Sequence, residues 1–376
     1  MRYSMRKNSV YIENGQGWFI DEIWNQIFRL DLMTNKVYYI GNYDGVDFRR
    51  NSYRLVKKCG DDLYIFPLRD KRNIIVYNLK KHFFDEIGLE GISNMSPVIL
   101  AIMETNDTLL VYLWKEHKIV EINKLNKQIV NCYNFRYTTL NFKHLIADGN
   151  NEHFVCTDVG ELMEFDSIRG IVASYRTDKD IWGAVYLKDF VWINKKSEIL
   201  VYDMTSQKVV ENIDMTKAFS TGNDFTAAVD IRDSIHYIWY IFLHVNKLVY
   251  INKQSKRVSV LTIEENQNNM KRSRGYCINF VYENRYLYIY SLNADKNYVI
   301  DMETGLYKDA VFNISDDDYC VLAEQKFQYG NGHIYECDEI NLKDMISLRY
   351  AHGIKGESSS NGIVGRNIYD ICRREA

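Results

Sequence analysis

Two histidines and an aspartate stand where chemistry can be assembled. His117 and His244 each fall in a B–C connection between strand-like runs, and Asp158 and Asn194 occupy comparable places. Imidazole and carboxylate groups brought together from separate connections can hold a metal ion or move a proton. No HxH, HxxxH or His–Cys pairing occurs among the eight histidines, so such a site has to be built in space, not along the chain. A nucleophile elbow of the form Gly-x-Ser-x-Gly is missing, as are both common glycine-rich phosphate loops. Asp316 to Asp318 lack the alternating ligands and glycine of a calcium loop, and read as a solvated turn. No metal and no cofactor are expected.

A second group of residues suits binding. Arg49, Arg50 and Arg54 lie in the first long connection, with Arg69, Lys71 and Arg72 in the B–C connection of the next unit. Guanidinium forks match carboxylate or phosphate oxygens two at a time. Asp44, Asp47 and Asp70 stand among them, so a balanced solvated rim is the alternative. Trp24, Trp114 and Trp182 occur at the same level, with Tyr43 and Tyr137. Such rings stack on sugars or anchor peptides, and they also pack between sheets. Lys271 to Arg274, after Glu264 and Glu265, read as a solvated loop.

The elements that position these residues repeat. A strand ending in Asp or Asn, a short polar turn and a second strand recur with anchors at Asp31, Asn78, Asn123, Asp166, Asp203, Asn252 and Asp301. Successive anchors are 37 to 49 residues apart, the period of a propeller blade. Before most anchors comes another strand pair, such as Val10–Ile12 with Trp18–Ile20, or Ile278–Val281 with Leu287–Tyr290. Period-2 patterning and tight turns make the unit four antiparallel strands, A to D. No apolar helical stripe appears before about residue 340, which excludes an alternating βαβ fold. The expected fold is all-β, a propeller of about seven blades (eight possible) with a short C-terminal helical appendage.

Asp31-Leu-Met-Thr-Asn-Lys-Val37, Asp203-Met-Thr-Ser-Gln-Lys-Val209 and Asp301-Met-Glu-Thr-Gly-Leu306 carry an Asp-x-x-Thr-Gly/Asn-like turn. In this the repeats resemble WD40-like and quinoprotein-like bacterial propellers, over roughly residues 9–315. The resemblance implies architecture only, since those proteins include scaffolds, lyases, lactonases and quinone enzymes. The Gly-His and Trp-Asp pairs of WD40 repeats, the sialidase box and the paired glycines of kelch repeats are missing.

In such a blade the A–B and C–D turns share one face, and the B–C and D–A connections the other. Here the first set is short, as at Asn14-Gly15 and Gly60-Asp61, and the second is long and varied, as over 41–52 and 264–275. Varied loops on a rigid frame carry binding residues, so the D–A/B–C face is the expected working face.

Of the 376 residues 46% are hydrophobic and 26% charged, and the net charge of −3 offers no broad basic surface for nucleic acid. No apolar run reaches the ~18 residues that cross a bilayer, and no signal peptide is evident. Seven scattered cysteines read as reduced thiols in a cytoplasmic protein. The expected organisation is a propeller over 1–315, a partial blade or hairpin plus helix over 316–350 closing the ring, and a Gly/Ser-rich linker with a terminal helix over 351–376. The leading reading is a non-enzymatic scaffold, monomeric or within a complex, that binds a protein, peptide or glycan through Trp24, Arg49, Arg50, Arg69, Arg72, Trp114 and Trp182. The second is a lyase or hydrolase acting on a small anion, using Arg69 and Arg72 with His117, Asp158 and His244.

Overall fold

The structure is a computed structural model that describes residues 2–3, 10–20, 26–42, 53–67, 73–92, 99–113, 116, 118–134, 142–147, 152–156, 161–166, 170–176, 183–187, 189–195, 198–218, 228–242, 247–263, 276–291, 296–318 and 321. These form an all-β propeller. Six sheets have four strands, each an uninterrupted antiparallel A–B–C–D meander, and one sheet has six. The first sheet departs from the four-stranded unit expected of each blade. The first sheet gains Phe312–Ile314, paired parallel to its D strand Lys36–Asn42, and Arg2–Tyr3, paired antiparallel to Phe312–Ile314. The strand that follows the last repeat therefore returns to the first sheet. The partial eighth repeat and the helices expected beyond residue 321 lie outside the described residues. Helical structure among the described residues is confined to the turn Thr216–Ala218 and to 316–318 and 321.

The A strands crowd the centre: that of the fourth sheet touches those of the third and fifth, and that of the first touches that of the seventh. The alternation of side chains across a strand explains how the sheets stack. In the second sheet Leu63 and Ile65 pack back onto the first, while Tyr64 and Phe66 pack forward onto the third. In the sixth, Ile238, Tyr240 and Phe242 face the fifth, while Trp239 and Ile241 face the seventh. B and C strands are almost wholly buried, and D strands such as Phe83–Gly88 are mostly exposed. Burial of apolar surface between neighbouring sheets is thus the main force holding the ring. Many of the tyrosines serve this packing, among them Tyr53, Tyr64, Tyr112, Tyr240, Tyr290 and Tyr298.

The repeated Asp or Asn has a local structural cause. Its side-chain oxygen accepts hydrogen bonds from the backbone N–H groups two and three residues on: Asp31 from Met33 and Thr34, Asn123 from Leu125 and Asn126, Asp301 from Glu303 and Thr304. This is the Asx-type bond that nucleates a turn. The residue four places after the anchor is left-handed: Asn35, His82, Lys127, Gln207 and Lys256 have φ of 54°, 54°, 59°, 56° and 60°, and Gly305 has 72°. The residue just after the anchor donates its N–H to the A–B turn of the same sheet, as Leu32 does to Gly15 and Met302 to Arg285. The two turns on one face are thus tied together, sheet after sheet.

Candidate functional site

All ten residues singled out as site candidates, Trp24, Arg49, Arg50, Arg69, Arg72, Trp114, His117, Asp158, Trp182 and His244, lie outside the described residues. Of the neighbouring groups, Asn194 is described and fully buried, and Arg54 lies in the strand Tyr53–Cys59. The ionisable cluster that the described residues do bring together lies on the opposite face, where the A strands of the first three sheets end.

Lys57 and Lys58 are consecutive in the A strand of the second sheet, so their side chains leave on opposite faces. Lys58 pairs back to Glu13 of the first sheet and sits 5.2 Å from the Trp18 ring. Lys57 reaches forward to Glu104 of the third sheet at 2.6 Å, and its Nζ is 4.7 Å from the Tyr11 ring of the first. Glu104 also takes Lys124 at 3.2 Å, and Lys124 donates to the Thr105 carbonyl at 2.7 Å. Tyr64 completes the cluster by donating to the Lys124 carbonyl at 3.3 Å. Three sheets are joined through two carboxylates, Glu13 and Glu104, and the ammonium groups of Lys57, Lys58 and Lys124.

The electrostatics of this cluster favour fixed charges. Burial alone would raise the Glu104 carboxyl, but Lys57 and Lys124 outweigh it and hold the group below the ordinary carboxylate value. Burial, with Glu104 close by, pushes the Cys59 thiol up to about 12. The Tyr11 phenol is pushed up to about 12 by burial and then by Glu13 and Glu104. At neutral pH the cluster holds a thiol and a phenol in their neutral forms, and a carboxylate already engaged. A nucleophile or general base poised near neutrality is not among these three groups.

A similar latch recurs from the left-handed turn position. Lys127 reaches back to Asp62 at 3.1 Å and lies 5.7 Å from the Phe83 ring, both in the second sheet. Lys256 reaches back to Glu211 at 3.5 Å and lies 4.2 Å from the Trp192 ring, both in the fifth. Sequence reading missed these pairs because a lysine in a polar turn has no distinguishing spacing. The one available signal was the Lys57-Lys58 doublet, two charges on adjacent and therefore opposite-facing positions of one strand.

Among the described residues no group of three or more His, Cys, Asp and Glu could hold a metal ion, and no helix is long and apolar enough to cross a membrane. Four large apolar side chains on this turn face are well exposed: Met33 at 80%, Leu125 at 93%, Ile235 at 66% and Leu306 at 73%. They belong to four different sheets, and single exposed apolar residues are ordinary.

No protein-family model matches the chain, and no curated protein matches it. Solved structures do: 1454 chains match, too many for the fold to select a function. One is a chain in the crystal structure of the mitotic checkpoint complex, similar with a TM-score of 0.55 and 10% identity over 78% of this chain and 86% of that one. At that identity the likeness shows the propeller fold alone.

Proposed function

We propose that the chain is a recognition propeller that binds a protein or peptide partner through its D–A and B–C connections. The observation carrying this reading is how the opposite face uses its polar groups. There the anchors are spent on capping turns, and many of the charges are paired between sheets. Side chains committed to holding the frame are poor carriers of specificity, which leaves that role to the longer and more varied connections. Trp24, Trp114 and Trp182 serve as anchors in this reading, and Arg49, Arg50, Arg69 and Arg72 meet acidic groups of the partner. A glycan stacked on the tryptophans is the alternative ligand. We count the six-stranded sheet as a blade with two added strands, making a ring of seven, and place the protein in the cytoplasm.

The test is capture of partners from native lysate by the purified chain, with crosslinking to locate the contact. Arg69→Glu with Arg72→Glu, or Trp24→Ala, should reduce capture at least tenfold, while Met33→Asp with Leu125→Asp should leave it unchanged. The reverse pattern would place binding on the turn face and refute the proposed one. Loss of a measured turnover on His117→Ala or His244→Ala, with melting temperature kept, would favour an enzyme.

A further inference from the structure

One buried position breaks the pattern of the repeat. The B-strand residue four places after the partner of the anchor is Ile20, Phe66, Tyr112, Asn194, Ile241 and Tyr290 in the first, second, third, fifth, sixth and seventh sheets. All six are at most 2% exposed. Ile20, Phe66 and Ile241 pack forward onto the next sheet, as the strand alternation requires. Asn194 alone of the six is an amide. Its cross-strand neighbour Ile199, and Trp192 two residues before it on the same side of the strand, belong to the core between the fifth and sixth sheets.

Among the described residues, neither Nδ2 nor Oδ1 of Asn194 has a hydrogen-bond partner. Tyr240, contributed to the same core by the sixth sheet, is also fully buried with an unpartnered hydroxyl. Buried polar atoms are nearly always bonded, and leaving them unmade is costly where an apolar side chain would fit. Five equivalent positions show that isoleucine or an aromatic ring does fit. Two such groups facing one seam therefore point to something that supplies their bonds.

The seam limits what that can be. It has to be small, because both residues are shielded from solvent. It has to be uncharged, because Trp192, Ile199, Ile231 and Phe242 offer nothing to offset a desolvated ion. It has to donate and accept at once, to match the carboxamide. We propose that the seam between the fifth and sixth sheets is an internal hydration site, in which enclosed water is held by the Asn194 carboxamide and shared with the Tyr240 hydroxyl. Such water bridges polar groups and forms part of the fold.

Water–protein cross-relaxation on the chain labelled with ¹⁵N-asparagine tests this without any substitution. The Asn194 side-chain amide should show a long-lived water cross-peak, lost in Asn194→Leu. A thermal double-mutant cycle gives the second readout. Asn194→Leu and Tyr240→Phe should each lower the midpoint by several degrees, and the double variant should lose less than their sum. No cross-peak in the parent, or two substitutions that raise the midpoint additively, overturns the proposal.

Discussion

His236 Nδ1 lies 2.7 Å from Glu303 Oε2 across the junction between the sixth and seventh sheets. The same carboxylate takes the His236 backbone N–H at 3.3 Å, and close by the Trp239 indole N–H donates to the Met302 carbonyl at 3.0 Å. A C–D turn is thus fastened to the A–B turn of the preceding sheet. Burial alone would raise the Glu303 carboxyl. The Ser234 hydroxyl, the His236 ring and the backbone N–H groups of His236 and Ile235 outweigh burial and hold it below its ordinary value of 4.5.

Glu303→Gln should therefore cost roughly 1–2 kcal/mol at neutral pH, as the loss of hydrogen bonds to a charged group. Because the folded value is depressed, this stability is present above the ordinary value and is lost as pH falls below it. Urea midpoints of the two proteins should differ at pH 7 and converge as pH drops below 4.5. A difference that persists unchanged into acid would refute the carboxylate's role.

Removing an anchor oxygen should loosen a turn without altering the fold. Asn123→Ala and Asp301→Ala should each lower stability by about 1 kcal/mol, while Asn123→Asp should stay close to the parent. Equal losses for Asn123→Ala and Asn123→Asp would show that the turn-capping acceptor is not what the position provides.

The left-handed turn residues separate backbone strain from side-chain contact. At Lys256, glycine removes the strain and the latch onto Trp192 and Glu211, whereas alanine removes the latch and keeps the strain. Lys256→Gly should thus be more stable than Lys256→Ala by about 1 kcal/mol. At the exposed Gln207, glycine should raise stability by roughly 0.5–1 kcal/mol. Chemical denaturation of the three variants decides, and alanine equal to glycine at Lys256 would remove strain from the account.

Cys59 should resist alkylation. A thiol moved from 9.0 to about 12 carries about a thousandfold less thiolate at a given pH below 9. Iodoacetamide at pH 8 should label it only after unfolding, as read by peptide mass spectrometry. Native labelling at the unfolded rate would contradict the burial described.

How much of this was legible beforehand follows from where each signal lies. The anchors were readable because one residue type caps one turn, and a local hydrogen bond leaves a local mark. The strand alternation was readable for the same reason. The return of Phe312–Ile314 was not: a three-residue strand in parallel register has no turn to announce it, and residues after 315 were assigned to closing the ring instead. Glu104 was missed because its partners, Lys57 and Lys124, come from a different sheet and a different turn. Asn194 was noticed only for lying beside loop positions, since its burial depends on the neighbouring sheet.

The parallel strand over Phe312–Ile314 also orders events during synthesis. The D strand of the first sheet, Lys36–Asn42, emerges from the ribosome early, yet the strand that covers its edge begins only at residue 312. Throughout that interval an exposed strand edge is available to neighbours. Polypeptides stalled before residue 312 should therefore be the species that chaperones bind and that aggregate.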